Sequence, residues 1–229
     1  MSDIASLESR LGVSFGESAF LEEALTHRSY LNEHREYSGD HNERLEFLGD
    51  AVLELASTRF LFDRFPAKPE GELTAYRAAL VNTVSLAESA QALHVGAHLR
   101  LSKGEARDTG RARDVILANT FEAIIGAIYL DQGYETAAAF IARTILSKLD
   151  DLIAKGAHQD AKSRFQELAQ EKRGITPNYK VLAEEGPDHA RIFTIGAFLG
   201  VKEIARGKGP SKQESEQAAA QEALDKFIV

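Results

Sequence analysis

The chain has 229 residues, 44% of them hydrophobic, with 27 Lys and Arg against 35 Asp and Glu and a formal charge of −8. Apolar content on that scale builds one large core or two modest ones and excludes global disorder; with no cysteine there is neither a disulfide framework nor a thiolate zinc site, so any metal must rest on oxygen or histidine. The acidic total argues against a nucleic-acid partner, but it is unevenly spread: 11 basic and 10 acidic residues lie from Ala161 onward, against 16 and 25 before it.

The N-terminus has no basic segment followed by an apolar core, and no apolar run reaches membrane-spanning length, which leads us to expect a soluble, cytoplasmic protein with no membrane partner. Ile4 to Leu11 reads as a short helix, interrupted by Gly12 to Gly16. Ser18 to Leu25 is a second helix with Ser18 as N-cap. Thr26-His27-Arg28-Ser29 then marks a capped helix end, and a polar loop runs from Asn32 to Asp40.

His41 to Leu55 is helix-forming, with apolar positions mainly three and four apart. Glu43, Glu46 and Asp50 fall at i, i+3 and i+7 and stack along one face of such a helix. Arg44 lies about 100° around the helix from Glu43. The face therefore wants a cation, and a divalent metal fits because hard cations take several carboxylate oxygens. The alternative is an ordinary solvated acidic face.

Two prolines and a glycine between Phe65 and Leu73 end that helix and begin another, with Glu70 at a start where the helix dipole favours a carboxylate. Leu73 to Leu93 reads as one long, mostly buried helix. A polar, basic-leaning connector follows, containing Arg111 and Arg113. Val115 to Leu130 is nearly all apolar and should be buried, yet it carries Asn119 and Glu122 three apart on one side. Burying an unpaired carboxylate costs several kcal/mol, so Glu122 needs a partner, and a metal shared with the acidic helix supplies one. A helix from about Glu135 to Ile153 precedes a linker at 155–160.

From Ala161 the pattern is helix, three strands, helix. Ser163 to Lys172 is amphipathic. Tyr179–Ala183, Ile192–Phe198 and Val201–Ala205 are strand-like, with turns at Gly186-Pro187-Asp188 and Leu199-Gly200. Ser211 to Phe227 is a helix whose Ala218-Ala219-Ala220 face lets it lie close on a sheet.

The strings NERLEFLGDA, from Asn42 to Ala51, and ILANTFEAIIGA, from Ile116 to Ala127, resemble the two signature elements of the ribonuclease III family of double-stranded-RNA endonucleases. Thr26–Ser29 resembles a further element of that family. The module ending in Gly207-Lys208-Gly209-Pro210-Ser211-Lys212 resembles a double-stranded-RNA-binding domain. The resemblance implies two domains: an all-α endonuclease domain at 1–154, then, after the linker, an α+β (α-β-β-β-α) RNA-binding domain at 161–229. It implies metal-dependent cleavage of double-stranded RNA by a homodimer in rRNA and mRNA processing, leaving 5′-phosphate and 3′-hydroxyl ends with short 3′ overhangs.

Mg2+, replaceable by Mn2+, is the implied cofactor, with no small-molecule organic cofactor. Glu46, Asp50, Asn119 and Glu122 would be metal ligands, and Asp50, Glu122, Glu43 and Glu70 catalytic, the last two completing the site or orienting water. Gln166 and His189 would reach RNA minor grooves, while Lys208 and Lys212, at the N-terminus of the last helix, would meet phosphates, as would Arg111 and Arg113. Phe47 occupies the place of an aromatic that the family buries in its partner, the alternative being ordinary core. One position departs from the family pattern: Asn119 stands where Asp is usual. An amide oxygen is a hard ligand without charge, so a raised metal requirement is expected. The rival reading is a catalytically weakened or inactive dimer that grips duplex RNA.

Overall fold

The computed structural model describes residues 4–154, 161–187 and 191–228. The chain divides into two compact units, residues 1–158 and 159–229. His189 and the 155–160 linker lie outside the described residues.

The first unit is helical. It contains α1 (Ile4–Leu11), α2 (Ser18–Ala24), α3 (Arg28–Glu33), α4 (Glu43–Arg64), α5 (Glu70–Leu80), α6 (Thr83–Ala92), α7 (Arg111–Thr144) and α8 (Leu149–Ala154), with short 3-10 turns between some of them. Its centre is α7, buried on every side from Ile116 to Ile128 apart from Asn119 and Glu122. Helices α2, α4 and α6 turn one face onto it; on α4 that face is Leu45, Gly49, Val52, Leu53, Ala56, Ser57 and Leu61, three and four apart as an amphipathic helix requires.

Several helix boundaries differ from the sequence reading; among them, α3 overlaps the loop expected from Asn32 and α5 begins at Glu70 rather than Leu73. Ser18 is the first helical residue of α2, not its cap. The preceding Gly16 and Glu17 N–H groups are instead met by the Asp131 carboxylate, at 2.9 and 3.0 Å. The expected helix from Leu73 to Leu93 is two helices. Asn82 divides them, its amide donating to Ala79 O at the end of α5 and its Oδ1 accepting from Ser85 N at the start of α6. Helix α7 contains a break at Gly133, where φ is +79°, and stops at Thr144 rather than reaching Ile153. Near that end the hydroxyls of Thr144 and Ser147 bond back to the Phe140 and Arg143 carbonyls, 2.8 Å each, in the way that loosens a helix end. Helix α4 runs nine residues past Leu55, to Arg64.

The second unit is α9 (Ala161–Arg173), a three-stranded antiparallel sheet of β1 (Pro177–Glu185), β2 (Ile192–Leu199) and β3 (Lys202–Gly209) in that spatial order, and α10 (Lys212–Ile228). The register pairs Lys180 with Gly196 and Gly196 with Arg206, and is shifted between Val181 and Ala183 and between Ala197 and Phe198. Phe165, Ala169, Ala197, Leu199, Ala205, Ala219, Ala220, Ala223 and Leu224 form the core between sheet and helices. Helix α10 lies so close on β3 that a Cβ on Gly207 would stand 2.2 Å from Ala219 N, the contact that the alanine face makes possible. Ser211 caps this helix, its hydroxyl accepting from Glu214 N at 3.2 Å. Lys208 therefore belongs to the end of β3, not to the helix start assigned from sequence.

Candidate metal centre and RNA-binding surface

Two glycines bring α4 and α7 together. A Cβ on Gly49 would lie 1.8 Å from the Glu122 carbonyl oxygen, and one on Gly126 would lie 2.3 Å from that of Leu45. Only hydrogen at both positions allows the two backbones to touch. The crossing falls where α4 carries Glu46 and Asp50, one turn apart, and α7 carries Asn119 and Glu122. Sequence reading passed over these glycines as parts of longer strings. Their signal was a glycine in the interior of each of two strongly helical segments, which lowers intrinsic stability and so needs a packing reason.

The side chains at the crossing feel one another. Glu122 is held well above the usual carboxylate range, pushed up to about 8, first by burial and then by the charges of Asp50 and Glu46. Burial, with the charges of Glu43 and Asp50, raises Glu46, while a side-chain hydrogen bond to Asn119 lowers it. Asp50 is raised by burial and by Glu54. Among the described residues no three His, Asp or Glu groups close around a metal-sized point by themselves. The fourth member of the set is an amide, which falls outside that count. A divalent cation fits this set: every donor is a hard oxygen, and its charge would relieve both the repulsion and the desolvation.

Glu43 has found a cation within the protein. Arg28 of α3 approaches to 3.3 Å, and nearby His41 Nδ1 accepts from Glu43 N at 3.4 Å. The acidic face is thus partly neutralised by a residue that sequence spacing could not place there. Glu70 stands apart from the crossing. It starts α5, accepts from the Thr74 hydroxyl at 2.9 Å, and lines an open pocket of about 420 Å³ with Thr58, Phe62, Lys68 and Arg77. Thr58 is about 18 Å further along α4 than Glu46, and Glu70 is not among the charges acting on Glu46, Asp50 or Glu122. Phe47 is 82% exposed and so is not core. Leu55 and Phe62 extend the exposed apolar stripe along α4.

Of the residues assigned to RNA, Gln166 is exposed on α9 and Lys208 on β3. Lys212 is the exposed first residue of α10, 3.5 Å from Glu184 and 5.6 Å from the Phe193 ring centre. Arg111 is exposed at the start of α7, whereas Arg113 turns inward and donates to Gly96 O at 3.0 Å, tying down the turn after α6. No helix among the described residues is long and apolar enough to cross a membrane.

A family model described as "Ribonuclease-III-like" matches residues 17–149, and one described as "Double-stranded RNA binding motif" matches residues 161–227. Ribonuclease 3 of Roseiflexus sp. is 46% identical over 221 residues, which is 96% of this chain and 93% of that protein. Ribonuclease 3 of Carboxydothermus hydrogenoformans is 46% identical over 223 residues, 97% of this chain and 95% of its own. Among solved structures, the nuclease domain of ribonuclease III from Campylobacter jejuni is similar at 41% identity and a TM-score of 0.58, covering 63% of this chain and 97% of that one.

Proposed function

Since this chain belongs to the ribonuclease III family and is an endoribonuclease directed at double-stranded RNA, we propose that it cuts at the α4–α7 crossing, with Glu46, Asp50, Asn119 and Glu122 as the residues that hold Mg2+ or Mn2+. The observation that supports this reading is the glycine-on-backbone contact, at the point where each helix carries two oxygen-bearing side chains. When bound, the metal supplies an activated water and stabilises charge on the phosphate undergoing displacement.

The chain's own residues do the remaining work. Asp50 and Glu122 hold the acidic end of the centre, and the depth of Glu122 keeps its carboxylate out of competition with bulk water. Glu43, on Arg28, keeps charge at the rim of the centre, where it acts on Glu46. Glu70 is an accessory carboxylate, and its distance from the crossing suits an action on substrate or on a neighbouring subunit rather than on the same metal. In the second unit Gln166, His189, Lys208 and Lys212 read A-form shape through minor-groove and phosphate contacts, with Arg111 adding a phosphate contact from the first. Arg113 contributes by shaping the loop.

Exposure of Phe47 along an apolar stripe supports a homodimer in which α4 meets a second copy. The products are 5′-phosphate and 3′-hydroxyl ends with short 3′ overhangs, formed in rRNA and mRNA processing in the cytoplasm. The rival reading, a dimer that grips RNA without cutting, rests on Asn119 alone. Incubating the full chain with end-labelled duplex RNA across a range of Mg2+ and Mn2+ concentrations tests the proposal. Metal-dependent fragments with 5′-phosphate ends are expected, abolished by Glu122→Gln, and binding without cleavage at every metal concentration would refute it.

A further inference from the structure

One end of the sheet in the second unit gathers cations. Strand β1 finishes there, β2 begins, β3 finishes and α10 begins. Arg191 immediately precedes β2, Lys208 lies near the end of β3, and Lys212 opens α10. Glu184, paired in register with Phe193, stands among them. Its two carboxylate oxygens have different partners: Oε2 accepts from Arg191 Nη1 at 3.5 Å, and Oε1 lies 3.5 Å from Lys212 Nζ. The Phe193 ring, its centre 5.6 Å from Lys212 Nζ, steadies the lysine further. Both pairs are solvent-exposed, and exposed pairs at such separations add little to a fold. Their effect falls on what the two cations can bind.

Two anionic oxygens on one centre, each facing its own cation, are also what the non-bridging oxygens of a phosphodiester would present to this pair. Resting on the reading of Lys212 as a phosphate contact, we propose that Arg191 is a further RNA-binding residue. Arg191 and Lys212 form a clamp for a single phosphate of duplex RNA, and in the free protein Glu184 fills that clamp as an internal mimic of the phosphate. The strand pairing of Glu184 fixes the spacing at which the two cations wait. RNA must displace the carboxylate to bind, so Glu184 lowers affinity while holding the clamp together. Lys208, which forms no ion pair among the described residues, meets its phosphate without such competition.

Fluorescence anisotropy of labelled duplex RNA with the full chain, in chelator to withhold metal from the cleavage step, tests the clamp across a range of salt. Arg191→Ala is expected to weaken binding and to lower the salt slope by about one, as losing one phosphate contact does. Glu184→Gln is expected to tighten binding about three- to tenfold, the factor that releasing two exposed ion pairs corresponds to, and to lose most of that gain when combined with Arg191→Ala. Glu185→Gln is the control. It removes the same charge one residue along, where the side chain points to the other side of the strand and forms no ion pair among the described residues, and it should tighten binding by no more than about twofold. All these variants should melt within about 2 °C of the parent. A Glu184→Gln variant that binds no more tightly than Glu185→Gln, or an Arg191→Ala variant with the parent's affinity and slope, overturns the inference. If Lys212→Ala weakens binding in either case, the reading of Lys212 stands without the clamp; if Lys212→Ala also binds like the parent, that reading falls and the clamp falls with it.

Discussion

Alanine at Gly49 isolates what the helix crossing contributes. The added methyl carbon would sit 1.8 Å from the Glu122 carbonyl oxygen and 2.7 Å from its carbon, so α4 and α7 must separate by about 1.6 Å to reach the 3.4 Å of ordinary contact. The obstacle is main chain, which cannot swing aside as a side chain would. Overpacking of this kind costs about 1–3 kcal/mol, and at the upper end the melting temperature falls by roughly 6–12 °C. The protein remains folded at room temperature, yet Glu46 and Asp50 are then displaced from Asn119 and Glu122 by more than an ångström, an error that lowers turnover about 100-fold. Calorimetry and a single-turnover cleavage assay on the same preparation read the two effects. Gly71→Ala is the control: nothing lies within 4 Å of its added carbon, and alanine in a helix stabilises by about 0.5–1 kcal/mol over glycine. Were Gly49→Ala to melt and cleave like the parent, the crossing would not be what sets the centre.

Three further outcomes follow from the site and its surroundings. The folded-state pKa of Glu122 is raised to about 8 against an ordinary 4.5, so the folded state binds the extra proton, and metal-free stability is highest below the unfolded value and falls as pH rises through about 8. Melting in chelator should show that decline, Glu122→Gln should remove most of it, and a pH-independent parent would contradict the burial argument. Phe47→Ala should shift sedimentation from dimer to folded monomer, whereas an unchanged profile would take the interface away from the α4 stripe. Lys208→Ala and Lys212→Ala should each weaken duplex-RNA binding irrespective of base sequence and lower its salt dependence by roughly one unit, measured by anisotropy across salt; unaltered slopes would place the phosphate contacts elsewhere.

Features that depend on local periodicity were legible from the chain alone. The 3.6-residue spacing of α4, the apolar wrap of α7 with a lone acid in it, and the β-forming runs of β1 to β3 between turn residues each follow from neighbours a few residues apart. The partners were not legible. Arg28 reaches Glu43 across fifteen positions, and Asp131 caps the start of α2 from more than a hundred positions away. The split at Asn82 was missed because its apolar flanks keep helical spacing through the break, and only the amide, serving both helix ends, reveals it. Phe47 could not be assigned to core or surface, since an aromatic two residues from the buried Leu45 and Gly49 fits either reading until the neighbouring helices are in place.

The segment before α4 is a closed ring of chain. Asn42 N donates to Thr26 O at 2.9 Å, the Asn42 amide donates to Ala24 O at 3.2 Å, and Thr26 with its neighbours is stitched to Arg100 on the far side. Insertions or deletions between 34 and 41 therefore enlarge or shrink a loop whose ends are already fastened, and doubling such a loop costs only about 0.6 kcal/mol. Asn42, buried beneath it, fastens one end of that loop, and within it Tyr37 is held by Arg100, whose Nη1 donates to the Tyr37 hydroxyl at 3.0 Å, so a change of length must spare both.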